Sequence, residues 1–548
     1  MVKTVRRYWD TLRHLRPVQF YGRVRQRLLR PRPDLSPPPA ARPRGGAWLE
    51  PVRHPPSLLG AGEFKFLGVS GNFVKIGWDG PEREKLWRYN QHYFEDLNAR
   101  DAAARGEWHH RLIEDWISGN PPAAGTGWEP YPTSLRIVNW VKWALAGSLP
   151  PARFHGSLAT QVRYLSRRLE THLLGNHLLA NAKALVFAGW YFQGPEAESW
   201  RRTGEDLLRR ELAEQILSDG GHFERSPMYH LIVLEDLLDL ANLYCCCQAP
   251  LPDGWKATIA RMLEWGRAMR HPDGEIPFFN DAAFGIAATP AQIDAYALRL
   301  GWASAGTGPS SGATFLEASG YGRLGAGPAT LLVDLAPIGP DCLPGHAHAD
   351  TLSFELSVGP ERWIVNGGTS VYGRSKERQR QRSTAEHSTV VMDGIDSSEV
   401  WSGFRVGRRA RVTSARLWQT QDAMFASGAH DGYRRLAGSP VHRRTWTLCP
   451  TSLCITDEIT GGGAHRIEIY LPLAPGLAPE LTADGTITIS LRGTQVGRVH
   501  FAPATQSEAV LERCCWHPGF GESVPNWRIR RHISAELPLV LQTWIKWC

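Results

Sequence analysis

From about residue 84 to residue 300, apolar positions recur at three- and four-residue spacings, the signature of amphipathic helices. The pattern predicts helices over 106–118, 133–147, 153–169, 171–192, 204–217, 229–246, 255–270 and 290–300. Turn clusters separate them, among them Pro121-Pro122, Gly194-Pro195, Asp219-Gly220-Gly221 and Pro272-Asp273-Gly274. Short loops between successive helices imply antiparallel neighbours, stacked as a solenoid or closed as a toroid. No fixed-period repeat is present, which weighs against a standard solenoid. From about Gly320 the period falls to two, strictly so in Arg466-Ile467-Glu468-Ile469-Tyr470-Leu471. Strands are predicted over 329–335, 351–358, 362–366, 388–393, 409–417, 442–448, 452–457, 465–471, 486–491, 497–502, 528–533 and 538–545. Many short strands joined by Gly and Asp turns argue for stacked antiparallel sheets. The boundary falls near 305–318, where Gly306, Gly308, Pro309, Ser310, Ser311 and Gly312 cluster.

A chain of 548 residues exceeds one ordinary core, so two large domains are expected, after a basic, Pro-rich extension over residues 1–60. An apolar content of 42% with 21% charged residues belongs to a globular protein. The balance of 62 Lys and Arg against 54 Asp and Glu, +8, favours acidic partners in general. It reads as too diffuse to single out nucleic acid, and no zinc-finger, RNA-binding or P-loop pattern accompanies it, so no nucleic-acid partner is expected. The 22 Trp residues suit sugar stacking as well as core filling. The runs Cys245-Cys246-Cys247 and Cys514-Cys515 are no disulfide framework, and a reducing compartment suits them.

Met1 to Arg32 is basic and aromatic, without the apolar stretch of a secretory signal, and no later segment approaches a membrane span. The expectation is a cytoplasmic protein, with a periplasmic or secreted one as the alternative. The same segment offers a peripheral membrane contact as a basic amphipathic helix, although packing its aromatics on the domain is the commoner outcome.

Four stretches carry candidate chemistry. Gly345-His346-Ala347-His348 leads into the alternating Leu352, Phe354, Leu356 and Val358. In extended backbone, residues two apart point the same way, roughly 7 Å apart. The pair therefore suits two metal ligands, or one ligand and one base, or simply a polar strand edge. In Leu174-Gly175-Asn176-His177-Leu178, the residues Leu174, Leu178, Leu185 and Phe192 form a buried stripe, with Asn176 and Lys183 on another face. Phe223-Glu224-Arg225-Ser226-Pro227-Met228-Tyr229-His230 reads as a loop opening a helix, and Arg382-Ser383-Thr384-Ala385-Glu386-His387 leads into a strand. Glu235-Asp236 and Asn280-Asp281 offer the acids a glycoside hydrolase would need.

Taken in order, Asn176-His177, Tyr229, Gly345-His346-Ala347-His348 and Glu386-His387-Ser388-Thr389 resemble the heparinase II/III-like polysaccharide lyases, a family that includes heparin and alginate lyases. The resemblance runs from about 85 to 470. It implies an α+β multidomain fold, an N-terminal (α/α) toroid over 61–310 followed by a C-terminal antiparallel β-sandwich over 319–548. It also implies β-elimination on an acidic, uronic-acid-containing polysaccharide, leaving a 4,5-unsaturated uronate. Asn176 and His177 would neutralise the substrate carboxylate. Tyr229 and His346 would supply acid and base, with Arg225 nearby to favour a phenolate. Arg225, Tyr372 and Arg382 are assigned to substrate binding. A structural Zn2+ is implied on His348, Asn366 and His387, although the family's usual residue at the middle position is Asp, and Asn366 brings no charge. A non-catalytic polysaccharide-binding or assembly protein of exopolysaccharide biosynthesis and a toroid-fold glycoside hydrolase are the alternatives.

Overall fold

Four prolines mark where helices begin. Pro130, Pro195, Pro227 and Pro290 each occupy a first-turn position, where a missing N–H costs no hydrogen bond. The computed structural model, which describes residues 2–302, 311–502 and 507–548, places eight successive helices at Gly106–Gly119, Pro130–Leu145, Phe154–Ser166, Gly175–Tyr191, Pro195–Gln215, Pro227–Cys246, Trp255–Ala268 and Pro290–Arg299. Burial differs along this series. Pro130–Leu145, Gly175–Tyr191 and Pro227–Cys246 are buried nearly all round and Phe154–Ser166 over its last two turns, whereas Gly106–Gly119, Pro195–Gln215 and Trp255–Ala268 leave a face exposed. Leu231, Leu234 and Leu238 are at most 3% exposed, and each such side chain contributes about 1.5–3 kcal/mol of transfer free energy.

The Pro-rich stretch is an extended wrap over the C-terminal ends of the three buried helices. Arg44 donates to the Ala144 carbonyl at 2.8 Å, Arg42 to Trp190 at 3.0 Å, and the Gly46 amide to Cys246 at 2.8 Å. Guanidinium groups at helix C-termini meet both unsatisfied carbonyls and the negative end of the dipole. After it comes a small antiparallel sheet of Leu58–Gly60, Glu63–Phe66 and Val69–Asn72, which the sequence pattern does not announce.

The C-terminal part is built from antiparallel ladders. A five-stranded sheet runs 312–316, 321–326, 329–334, 354–358, 361–364. An eight-stranded sheet runs 412–419, 424–430, 441–449, 452–460, 539–547, 494–501, 487–491, 477–481, and a four-stranded sheet 507–516, 524–536, 464–472, 390–392. Val441–Cys449 alternates half-buried and buried at every position, as predicted. Unpredicted strands include Tyr321–Ala326 and Met424–His430. Both are rich in Gly, Ala or Ser, and Tyr321–Ala326 is buried on both faces, which erases the period of two. Part of the glycine-rich boundary at 305–318, residues 305–310, lies outside the described residues.

The two parts meet through the loop after Trp255–Ala268. His271 bonds Glu355 and Ser357 at 2.8 Å each, and Trp265, Met269 and Phe279 pack with Tyr321 and Leu332. The loop so clamped carries Asn280 and Asp281 to the seam.

Candidate active site

His346 and His348 sit on a loop rather than on the predicted strand, which begins only at Phe354, after a turn in which Leu352 has φ +64°. Strand alternation therefore does not aim the pair. Asp281 does. Its Oδ2 lies 2.9 Å from His346 Nδ1, its Oδ1 lies 2.8 Å from His348 Nε2, and its amide donates to the His346 carbonyl at 2.9 Å. Arg378, fully buried, donates to both Asp281 oxygens, and Thr369 adds a bond at 3.2 Å. Burial pushes the Asp281 carboxyl up, but the Arg378 charge and the histidine donors outweigh it and hold it well below 3.8. An ionised carboxylate only accepts, so His346 Nδ1 donates to it, and in the neutral imidazole the lone pair then sits on Nε2. His346 keeps 16% of its side chain exposed.

Tyr229 lies in the first turn of Pro227–Cys246, where Ser226 caps the helix by accepting the Tyr229 amide at 3.2 Å. Its ring touches His346, with centroids 4.0 Å apart, and its hydroxyl is 3.0 Å from that of Tyr372. Burial, then Tyr372 and the charges of Asp281 and Glu224, push the Tyr229 phenol well above 10. Arg225 does not reverse this. Its guanidinium donates to the carbonyls of Ser319 and Phe223 at 3.1 Å each, so the expected phenolate-favouring contact is absent.

Asn176 and His177 open the helix Gly175–Tyr191. Gly175 adopts φ +56°, and a Cβ there would lie 2.4 Å from Leu343 and 2.9 Å from a Glu224 oxygen, so only glycine lets these segments converge. His177 Nδ1 is 3.3 Å from Glu170, and its ring packs on Tyr131 at 4.4 Å. Asn181, one turn on, holds Glu170 by its backbone and its carboxylate. Burial pulls the His177 imidazole down, but Glu170 outweighs it and moves the net value above 6.5. The Asn176 amide is half-buried and takes no part in this cluster.

Glu224 and Asp281 are the residues that sequence reasoning did not assign. Both Glu224 oxygens are buried without a hydrogen-bond partner, and one lies 3.9 Å from His346 Nε2. Burial raises its carboxyl more than His346 and His177 lower it. The one available signal was its place two residues before the Ser226 cap.

Arg382 needs correction as a substrate-binding residue. It is fully buried and donates to the Ala347 carbonyl at 2.9 and 2.8 Å, so it braces the histidine loop from beneath. Tyr372 is half-buried beside Tyr229, with Arg378 4.9 Å from its ring centroid. The acids proposed for a hydrolase are paired with cations: Glu235 with His54, Asp236 with Lys183, Asp281 with Arg378.

The expected zinc set converges in part. His348 Nδ1 and His387 Nε2 lie 3.2 Å apart. That spacing suits two ligands of one tetrahedral ion as well as a shared proton. The third position is engaged within the protein. Asn366 Oδ1 accepts the Ser388 amide at 3.2 Å, and its amide nitrogen lies 3.4 Å from Ser353 Oγ. Burial lowers His348 to about 4 and His387 to about 3, so both are neutral. Neutral imidazole is the metal-binding form, so the two histidines keep that capacity, and the engaged, uncharged Asn366 amide is the weak member of the set. Because Asp281 takes the His348 Nε2 proton, the His348 Nδ1 lone pair faces His387 Nε2. Protein purified without added metal should carry well under one equivalent of zinc by elemental analysis, and chelators should leave turnover unchanged. Asn366→Asp should raise zinc uptake. One tightly held equivalent in the natural protein would contradict this reading.

Comparison with known proteins bears on the whole arrangement. Residues 86–297 match the family profile "Heparinase II/III N-terminus", and residues 308–538 match "Heparinase II/III-like, C-terminal". A heparin-sulfate lyase of Bacteroides stercoris is 24% identical over 460 residues, 73% of this chain, and the chain spans only 65% of that lyase. FtsZ-localized protein C of Caulobacter vibrioides is 27% identical over 570 residues, covering 94% of this chain and 92% of that protein. The solved structure of a heparan sulfate lyase mutant from Pedobacter heparinus superposes with a TM-score of 0.63 at 16% identity, covering 96% of this chain and 87% of that one. At that identity the likeness concerns the fold.

Proposed function

The chain belongs to the heparinase II/III-like family, and from that premise we propose that it is a polysaccharide lyase cleaving a uronic-acid-containing polymer by β-elimination. The observation that carries this is the contact between a histidine whose tautomer Asp281 sets and a tyrosine whose phenol stays protonated. His346 Nε2 removes the C5 proton. Negative charge then develops on the uronate carboxylate, where the His177 imidazole, whose charged form Glu170 favours, and the Asn176 amide stabilise it. As the C4–O bond breaks, the Tyr229 hydroxyl gives its proton to the departing oxygen, and Tyr372 supports the phenolate left behind. The proton on His346 then returns to Tyr229, and no water is consumed. Because the two rings touch, acid and base serve one side of the sugar. That suits syn elimination, in which the C5 hydrogen and C4 oxygen leave from one face, as in glucuronate or mannuronate.

The mixture of helices buried nearly all round with helices that leave a face exposed supports closure into an (α/α) toroid with inner and outer rings, and the one-sided alternation of strands such as Val441–Cys449 supports sandwich packing of the sheets. Mass spectrometry of cleaved oligosaccharides tests the reaction class. Lyase fragments sum to the mass of the parent, whereas a hydrolase adds one water per cut. Fragments heavier by one water would overturn the proposal.

The His177 charge gives a pH prediction. Its folded-state value is raised, so the cation persists through pH 6.5 and is lost as pH rises through that higher value. KM should therefore climb on the alkaline side. Glu170→Gln removes the cause and should move that rise to lower pH. An unmoved profile would remove His177 from carboxylate binding.

One observation favours a second reading. The relative matched nearly end to end is named for its localisation with FtsZ, not for a lyase reaction. A non-cutting assembly protein would retain uronic oligomers and leave their masses unchanged.

A further inference from the structure

The two N-terminal helices, Val2–Leu12 and Pro17–Leu28, are packed inside out. Apart from Tyr8, whose ring meets Trp401 edge-on at 5.0 Å, their inward contacts are polar or small. Buried Asp10 faces Arg13 and Arg408, Arg7 bonds Glu399 at 2.8 Å, and the Trp401 indole donates to Thr11 at 3.2 Å. On the second helix, Gln19 donates to the Cys342 carbonyl at 3.1 Å, Gly22 sits against His172, and Gln26 donates to the carbonyls of Arg168 and Leu169 at 3.0 Å each. The apolar residues face the other way. Val5, Trp9 and Leu12 recur at helical spacing and are exposed, Trp9 by 65%. Phe20, Val24 and Leu28 form a second row, exposed by 47%, 57% and 75%, with Tyr21 beside it. Apolar rows of this length on a soluble surface mark a binding face.

Charge identifies what the face meets. Residues 1–32 hold ten Lys and Arg against the single Asp10, a surplus of +9, so residues 33–548 together carry −1. The excess of +8 that reads as diffuse along the whole chain is gathered here. Among the described residues, Arg23, Arg25, Arg27, Arg30 and Arg32 have no acidic partner within ion-pair distance. Arg guanidinium groups bordering rows of Trp, Phe, Val and Leu match a bilayer interface, where apolar side chains enter the acyl boundary and cations meet anionic headgroups. A nucleic acid would use the charge but leave the aliphatic rows in water.

We propose that this helix pair is a peripheral membrane-binding element that docks on anionic lipid surfaces. It is seated on both parts of the fold beside the candidate site, through Arg168, Leu169 and His172 just before Asn176, and through Cys342 just before His346. Docking therefore holds the site at the bilayer surface.

Vesicle flotation of the full chain tests this. Vesicles of neutral phosphatidylcholine with about one-third phosphatidylglycerol should float the protein, with affinity about tenfold or more above phosphatidylcholine alone, weakening with salt. Trp9→Ser combined with Val24→Asp changes only outward-facing positions. It should abolish flotation while leaving the melting temperature and the retention of an acidic polysaccharide unchanged. Three results would overturn the proposal: no flotation on anionic vesicles, flotation indifferent to the double substitution, or equal loss of lipid and polysaccharide binding, which would make the face a generic polyanion site. Displacement of bound vesicles by DNA in proportion to its charge, with no effect of the apolar substitutions, would assign the face to nucleic acid instead.

Discussion

Tyr229→Phe is expected to lower kcat by about three orders of magnitude while leaving the fold intact. The substitution removes one oxygen, whose partner within the protein is the half-buried hydroxyl of Tyr372, and the ring keeps its contact with His346. A melting temperature near that of the natural protein, with KM changed by much less than kcat, is the result that assigns the hydroxyl to the leaving-group proton. His346→Ala should cost a comparable factor. The double variant should be little worse than either single one, because groups that pass one proton between them act as a unit. Near-normal turnover by Tyr229→Phe would remove the mechanism.

Asp281→Asn should damage both activity and stability. Arg378 is fully buried, and Asp281 is its acidic partner. Removing the negative charge leaves a cation without compensation, at a cost of about 3–5 kcal/mol. The sign of the pH dependence follows. The Asp281 carboxyl is held well below 3.8, so its contribution is present above that value and lost as pH falls through the depressed one. Chemically, an amide at this position no longer requires His346 to protonate Nδ1, and kcat should fall by roughly 10^3 to 10^4 from the wrong tautomer. A melting temperature unchanged at neutral pH would contradict the buried-pair argument. Unchanged kcat would contradict the tautomer argument.

Periodicity made most of the fold legible because most elements bury one face only. The helix Trp255–Ala268 and the strand Val441–Cys449 both follow from it. Tyr321–Ala326 escaped because burial on both sides and three small residues leave no alternation to read. Site residues were legible where a motif surrounds them, as with His346 and Tyr229. Asp281 was noticed only as a possible hydrolase acid, because its role arises from a loop that tertiary contacts carry to residues 65 and 67 positions away. Glu224 was passed over because an orphaned buried carboxylate is a property of packing, which no local pattern records. Arg382 was misread because a loop arginine four residues before the Glu386-His387 motif looks exposed, while its guanidinium lies under the Ala347 carbonyl. Asn366 was flagged at once, since a neutral amide where a carboxylate is usual is a chemical difference visible in one letter.

Ultraviolet absorbance during incubation with uronic polymers of defined configuration tests the central claim most directly. Elimination creates a C4=C5 double bond conjugated to the carboxylate, and hydrolysis or binding does not. The account predicts a steady rise in that absorption with a glucuronate- or mannuronate-containing polymer, abolished by Tyr229→Phe. New reducing ends without the absorption, or tight binding with neither signal across the whole panel, would contradict it.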